Sequence, residues 1–82
     1  MTARARVAKL LLYLAQRHGA RFDVLSRRDM AEHLDLSVEE TCRVLSLFAK
    51  ARIIAIPNIS QIEIVNRTAL EAAAAAACWL SG

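Results

Sequence analysis

The chain has 82 residues, a length typical of one small domain. Apolar residues make up 56% of it, enough for a compact core, but only four residues are aromatic, so the core must be mostly aliphatic. The net charge of +3 is uneven, since residues 1–28 carry seven cations and one acid whereas residues 29–42 carry five acids and no Lys or Arg. This balance permits binding to a polyanion, although a solvated mixed-charge surface explains it equally well.

The first predicted element is a helix over residues 3–18, which Gly19 ends. Its apolar residues share one stripe at helical spacing, namely Val7, Leu10, Leu11, Leu14 and Ala15. Leu12 and Tyr13 lie off that stripe. They are either simply exposed or in contact with a partner.

Two capped helices follow in the central part of the chain. Ser26 is the predicted N-cap of a helix over residues 27–34. Ser37 and Glu40 form a full capping box for a longer helix that continues to about residue 51. A short helix, a turn of three or four residues and a longer helix have the spacing of a helix-turn-helix.

The last third of the chain predicts a hairpin and a helix. Residues 54–56 and 62–65 alternate as strands do, and residues 57–60 between them are typical of a hairpin turn. Asn66 can cap a final helix over Thr68–Leu80, whose alanine run strongly favours helix. The predicted fold class is therefore mainly α with a small β-hairpin.

The longer helix of the helix-turn-helix has two distinct faces. Its apolar side, which we expect to face the core, holds Thr41, Val44, Leu45 and Phe48. The opposite polar stripe holds Glu39, Cys42, Arg43, Ser46 and Lys50. A solvated face would show the same stripe, so periodicity alone does not decide whether it contacts a ligand.

The position of this helix favours DNA binding, because the second helix of such a motif enters the major groove. Glu39 can accept a hydrogen bond from cytosine N4, and Arg43 can donate two to guanine O6 and N7. One helical turn separates the two side chains, so Glu39 can also steady the Arg43 guanidinium. Contacts to phosphates must then come from other groups, for which the candidates are Ser26, Arg27, Ser37 and Lys50.

Three stretches carry a family resemblance: RVAKLLLYLAQRHG, LSRRDMAEHLDLSVEETCRVLSLF and IIAIPNISQIEIVNRTALEAAA. Over about residues 4–75 the chain resembles the C-terminal domain of the Crp/Fnr family of bacterial transcription regulators. The resemblance implies a winged helix-turn-helix that binds double-stranded DNA at a palindromic site, as a homodimer in the full-length regulator. It also implies contact with RNA polymerase and a cytoplasmic location.

The resemblance assigns roles to individual residues. Glu39 and Arg43 match the base-reading pair of the family, and Arg27 matches its phosphate-binding arginine. Val38 is aliphatic, as in the Fnr/FixK branch, which implies a half-site of the TTGAT kind in which Val38 contacts a thymine methyl group. The hairpin turn corresponds to the wing, where Asn58 and Ser60 lie.

The chain departs from the family pattern at three places. Cys42 stands where serine is usual, so the base contacted there is open. Asp35 replaces a glycine of the turn, but aspartate tolerates a left-handed backbone, so we expect the turn to survive. Ala51-Arg52 replaces a glycine-containing loop, which would alter the end of the reading helix.

Cys42 also suggests a redox hypothesis, because it lies beside Arg43 on the face that would meet DNA. Its oxidation to an acid would add negative charge and bulk against the DNA backbone. The alternative interpretation is a small residue tolerated in place of serine.

Regulators of the family are usually far longer, so we expect residues 1–82 to be a single DNA-binding domain without the sensor and dimerisation regions. No bilayer-length apolar stretch or signal peptide is expected. The chain has two glycines and no paired nucleophile and base, which predicts neither a phosphate loop nor an enzyme. Its histidines and cysteines have no metal-ligand spacing, so we expect no metal and no cofactor.

The alternative function is a winged helix that docks another protein without reading DNA. Leu12, Trp79 and the alanine-rich last helix would supply an apolar surface for such a partner.

Overall fold

The computed structural model describes residues 2–24 and 26–80, and of residues 76–80 it describes the backbone only. The elements in chain order are α1 (Ala3–His18), β1 (Arg21–Asp23), α2 (Arg27–Leu34), α3 (Val38–Lys50), β2 (Ile54–Asn58), β3 (Gln61–Ile64) and α4 (Arg67–Leu80). The predicted fold class, mainly α with a helix-turn-helix and a hairpin, is confirmed.

Helix α1 forms one wall of the core. Its inward stripe is buried, as shown by Ala5, Val7, Ala8, Leu11 and Ala15. Gly19 has a φ of +92° and donates its N–H to the Ala15 carbonyl at 2.8 Å, which ends the helix as predicted. Leu12 is half-buried and packs against the core, whereas Tyr13 is exposed beneath the Arg17 guanidinium, 5.6 Å from its ring centroid.

The N-caps of α2 and α3 are the predicted serines, but the return bond of the predicted capping box, from the Ser37 N–H to the Glu40 side chain, is not formed in the described part of the chain. The Ser26 hydroxyl accepts the N–H of Asp29 at 3.2 Å, and the Ser37 hydroxyl accepts the N–H of Glu40 at 3.0 Å. Asp35 ends α2 in the left-handed region, with a φ of +58°, and the turn survives the loss of glycine as expected. The N–H of Leu36 then closes the turn on an α2 carbonyl at 2.9 Å.

Helix α3 is fixed to the core through its apolar face. All four residues predicted to be buried are buried: Thr41, Val44, Leu45 and Phe48. Beyond Lys50, Arg52 adopts a φ of +60°, and the next N–H, from Ile53, returns to the Phe48 carbonyl at 2.9 Å. Arg52 thus takes the left-handed conformation that glycine would supply, and the helix still ends in a closed turn.

The sheet has three antiparallel strands in the order β1-β3-β2, one more than the predicted hairpin. The strand that sequence reasoning missed is β1, in which only Phe22 is buried, paired with Ile62 on β3. Strand β2 also runs two residues further than predicted, to Asn58, so the turn itself is Ile59-Ser60. Pro57 fits there because β2 is an edge strand with irregular register.

Helix α4 packs along α1 and completes the core with Leu70 and Ala74. The Asn66 side chain accepts the Ala69 N–H at 3.0 Å, which confirms the predicted cap, although the helix begins at Arg67 instead of Thr68. The side chains of Cys78 and Trp79 lie outside the described residues. Within residues 2–24 and 26–80, no helix has the length and apolar character needed to cross a membrane.

Candidate nucleic-acid interface

The outer face of α3 carries the polar stripe on which the predicted base contacts depend. Glu39, Arg43, Ser46 and Lys50 are exposed, and Cys42 is half-buried. The opposite face of the same helix is buried against the core. The core therefore holds α3 in one orientation and leaves the stripe accessible to a ligand.

Glu39 and Arg43 form an ion pair one helical turn apart, with 3.1 Å between a carboxylate oxygen of Glu39 and Nη2 of Arg43. Their side chains remain 84% and 66% exposed, so the pair contributes only about 0.3–0.5 kcal/mol to folding. Its consequence is geometric, because Arg43 is oriented while most of its five donors stay free. This is the pairing that the sequence predicted.

Val38 is the first residue of α3 and is 44% exposed. It lies beside Glu39 in the first turn, so an apolar surface adjoins the charged pair. An exposed branched side chain at this position has no core partner to explain it, and a thymine methyl group is a suitable contact for it.

Cys42 precedes Arg43 in α3, is half-buried and has a free thiol. The base preference at Cys42 and its redox response remain predictions.

The residues predicted to contact phosphates differ in whether their polar groups already form hydrogen bonds within the domain. The hydroxyls of Ser26 and Ser37 are the helix caps, so each of these serines acts at a helix N-terminus, where backbone N–H groups are free. Lys50 is exposed at the opposite end of α3, eleven residues after Glu39, or about 16 Å along the axis. Lys50 therefore lies well away from the first turn of α3.

Arg27 has an unusual environment at the start of α2. The residue is half-buried, and among the described residues its Nη1 atom is buried without a hydrogen-bond partner. An unpaired donor on a guanidinium is costly, and such a group in a folded protein calls for an explanation. Because this atom has no exposed surface, an anionic oxygen at the N-terminus of α2 would reach it only after the guanidinium turned towards solvent.

The wing residues are tied into the turn of the hairpin. The side-chain Oδ1 of Asn58 accepts both the N–H and the hydroxyl of Ser60, at 3.0 and 2.9 Å, and its side-chain amide donates to Oε1 of Gln61 at 3.0 Å. Gln61 in turn donates to Asp23 on β1 at 3.1 Å. The sequence interpretation missed Gln61 and Asp23, which link the wing to the sheet, because they lie 38 residues apart along the chain.

Comparison with known proteins gives one family. The family model described as a Crp-like helix-turn-helix domain matches residues 5–73. FixK2 from Bradyrhizobium japonicum is similar at 33% identity with a TM-score of 0.80, over 85% of this chain and 37% of FixK2. The catabolite activator protein of Thermus thermophilus is 28% identical with a TM-score of 0.78, over 90% of this chain and 34% of that protein. No curated protein sequence matched the chain.

CooA from Carboxydothermus hydrogenoformans, a CO-dependent transcription factor, has the same fold, with a TM-score of 0.78 at 20% identity. The match covers 88% of this chain and 36% of CooA, so the chain spans little more than a third of these regulators. The resemblance to Crp/Fnr regulators, and within them to the FixK branch, is confirmed by the family match and by FixK2. The chain belongs to the family of Crp-like helix-turn-helix domains.

Proposed function

We propose that this chain binds double-stranded DNA sequence-specifically, as the reading module of a transcription regulator, and that α3 reads a half-site of the TTGAT kind. The observation that carries the proposal is the exposed Glu39–Arg43 pair, 3.1 Å apart on the outer face of the second helix of a helix-turn-helix. An i,i+4 ion pair also occurs on solvated helices, so the position of this pair in the motif is what favours base reading. A helix inserted into the major groove uses both groups.

Three side chains of the first two turns of α3 read bases in this proposal. Arg43 donates to guanine O6 and N7, and Glu39 accepts from the N4 amino group of a cytosine. Val38 contacts a thymine methyl group through its exposed branch. Cys42, at the position where serine is usual in the family, contacts a fourth base edge.

The phosphate contacts come from the helix N-termini and from two cations. The free N–H groups next to Ser26 and Ser37 point to where phosphates approach. The half-buried Arg27 contacts a phosphate once its guanidinium, whose Nη1 is buried, turns outward. Lys50 contacts the backbone at the far edge of the groove. The wing, with Asn58 and Ser60, faces the DNA backbone beside the groove.

The palindromic site implies two copies of the module. In the full-length regulator we expect a homodimer whose two α3 helices lie in successive major grooves, and we expect contact with RNA polymerase. A monomer of the 82-residue chain gives up the avidity of two half-sites, so its binding is weaker than that of a dimer. Titrations must therefore extend to high protein concentration.

The test is a titration of fluorescent duplexes, one with two TTGAT half-sites and one scrambled, at two salt concentrations. We expect the intact chain to prefer the site. Arg43→Ala loses about 1–3 kcal/mol of that preference, because it removes a bidentate base contact. Lys50→Ala keeps the preference but lowers the salt slope by about one unit, because it removes a phosphate contact. Equal binding of the intact chain to both duplexes would contradict the proposal.

Arg17→Ala is the matched control, since it removes an exposed cation from α1. The Arg17 guanidinium lies over the ring of Tyr13. It should change neither the preference nor the salt slope. If it weakens binding as much as Lys50→Ala, general charge accounts for the affinity, and the assigned backbone contact is wrong.

Protein docking without DNA reading is the competing function, and the fold removes part of its basis. Leu12 is half-buried and packs against the core, so it is not free to form an apolar docking surface. If the domain docked a protein without reading DNA, the preference for the TTGAT duplex over the scrambled one would be absent, and Arg43→Ala would not change DNA binding.

A further inference from the structure

A side chain of α1 reaches across to the turn of the helix-turn-helix. Arg6 is half-buried, and its Nη1 donates to the carbonyl oxygens of Leu34 and Asp35, at 3.0 and 3.3 Å. These partners lie 28 and 29 residues further along the chain. Within the described ranges, 2–24 and 26–80, Arg6 has no carboxylate partner, so the turn is its main polar contact.

The turn needs such a donor because it uses its own N–H groups elsewhere. The N–H of Asp35 returns to the carbonyls of Ala31 and Glu32, and the N–H of Leu36 bonds the Ala31 carbonyl at 2.9 Å. The last carbonyls of a helix lack partners within it and carry partial negative charge. Arg6 supplies the hydrogen for two carbonyls at this end and a positive charge beside them.

The same turn sets the angle between the two helices of the motif. Only residues 35–37 separate α2 from α3, and Asp35 is already held in a left-handed conformation that costs energy. Arg6 attaches these residues to α1, which packs against both α3 and α4. We propose that Arg6 is a positioning residue that fixes the angle of α3 relative to α2, and so directs Glu39 and Arg43 at the bases, without touching DNA itself.

This inference rests on the proposed function and separates Arg6 from two other roles. A phosphate-binding arginine would contribute to the salt dependence of binding. A residue that only stabilises the fold would change the folded fraction, which lowers specific and non-specific affinity by the same factor. A positioning residue lowers the specific affinity alone, because misdirected reading groups still leave the backbone contacts in place.

The first test compares Arg6→Ala with Lys9→Ala on the same duplexes as above. Lys9 is an exposed cation on the same helix. In the described part of the chain its side chain makes no hydrogen bond or ion pair with the turn. We expect Arg6→Ala to lower affinity for the TTGAT duplex about tenfold, because misdirection of α3 weakens part of one bidentate base contact. Affinity for the scrambled duplex and the salt slope should not change. Lys9→Ala leaves the ratio of the two affinities unchanged. An equal loss on both duplexes, or a salt slope lowered by about one unit, overturns the proposal.

The second test does not depend on DNA. Amide hydrogen exchange of Asp35 and Leu36, measured relative to the buried Leu11 amide, reports the turn itself. We expect faster relative exchange of these amides in Arg6→Ala and no change in Lys9→Ala. Unchanged exchange in Arg6→Ala overturns the proposal that Arg6 holds the turn. If Arg6→Ala does not fold, Arg6→Lys serves in both tests, with smaller changes in the same direction expected. Should the intact chain bind both duplexes equally, the proposed function fails, and the exchange result alone decides whether Arg6 holds the turn.

Discussion

Arg52→Gly tests the backbone at the end of the reading helix. Arg52 has a φ of +60°, and a residue with a Cβ held in this region costs about 1–3 kcal/mol. Glycine removes that cost, but it also raises the entropy of the unfolded chain, which offsets about 0.4–1 kcal/mol. The Arg52 side chain is exposed, and it has no hydrogen bond or ion pair to lose within residues 2–24 and 26–80.

With the middle of each range, about 2 kcal/mol of strain and about 0.7 kcal/mol of entropic offset, the net expectation is a domain stabilised by about 1.3 kcal/mol. For a chain of this length each kcal/mol raises the melting temperature by about 4–8 °C, so we expect an increase of about 5–10 °C. Thermal unfolding followed by circular dichroism at 222 nm measures it.

Ala51→Gly is the matched control at the adjacent position. Ala51 has a φ of −79°, where alanine is unstrained, and it is also exposed. Glycine there brings only the entropic cost, so we expect a destabilisation of about 0.5–1 kcal/mol. Opposite signs at neighbouring positions would support the strain argument. If Arg52→Gly lowers the melting temperature as Ala51→Gly does, the argument is wrong.

Three other substitutions test the core, the ion pair and the thiol of α3. Leu45→Ala should lower the free energy of unfolding in urea by about 2–5 kcal/mol, because Leu45 is fully buried. Leu47→Ala, on the same helix but 40% exposed, should lower it much less, and similar losses would contradict the assigned faces of α3. Glu39→Gln should change stability by less than about 0.5 kcal/mol while relaxing the preference for C·G at one base pair, measured by competition with single-substituted duplexes. Peroxide should weaken DNA binding by the intact chain but not by Cys42→Ser, and equal loss in both would remove the redox hypothesis.

The helix boundaries could be predicted because their signals are local. Ser26, Ser37 and Asn66 each accept a backbone N–H three residues later, which is a contact that a sequence pattern encodes directly. The two faces of α3 were also predictable, since the helical period alone separates buried from exposed positions.

The features that could not be predicted join distant segments. Strand β1 is three residues long with one buried side chain, Phe22, so it has no period to detect, and it exists only because β3 pairs with it some 40 residues later. Arg6 is equally silent in sequence, because its partners are backbone carbonyls, which every residue type has. The buried Nη1 atom of Arg27 likewise depends on how α2 lies against the rest of the domain.

Under the proposed function, these long-range contacts determine how specificity and affinity for DNA are divided in this domain. Glu39 and Arg43 largely neutralise each other as a pair, so α3 gains little attraction to a polyanion from its own first turns. The contribution of α3 to DNA binding must come from the alignment of its side chains with the bases. The buried face of α3 and the contact of Arg6 with the turn provide that alignment. In the proposed function, attraction to phosphates falls instead to the helix N-termini, Arg27 and Lys50. Substitutions at the alignment contacts should therefore lower discrimination at constant salt slope, and substitutions at the phosphate contacts should do the reverse.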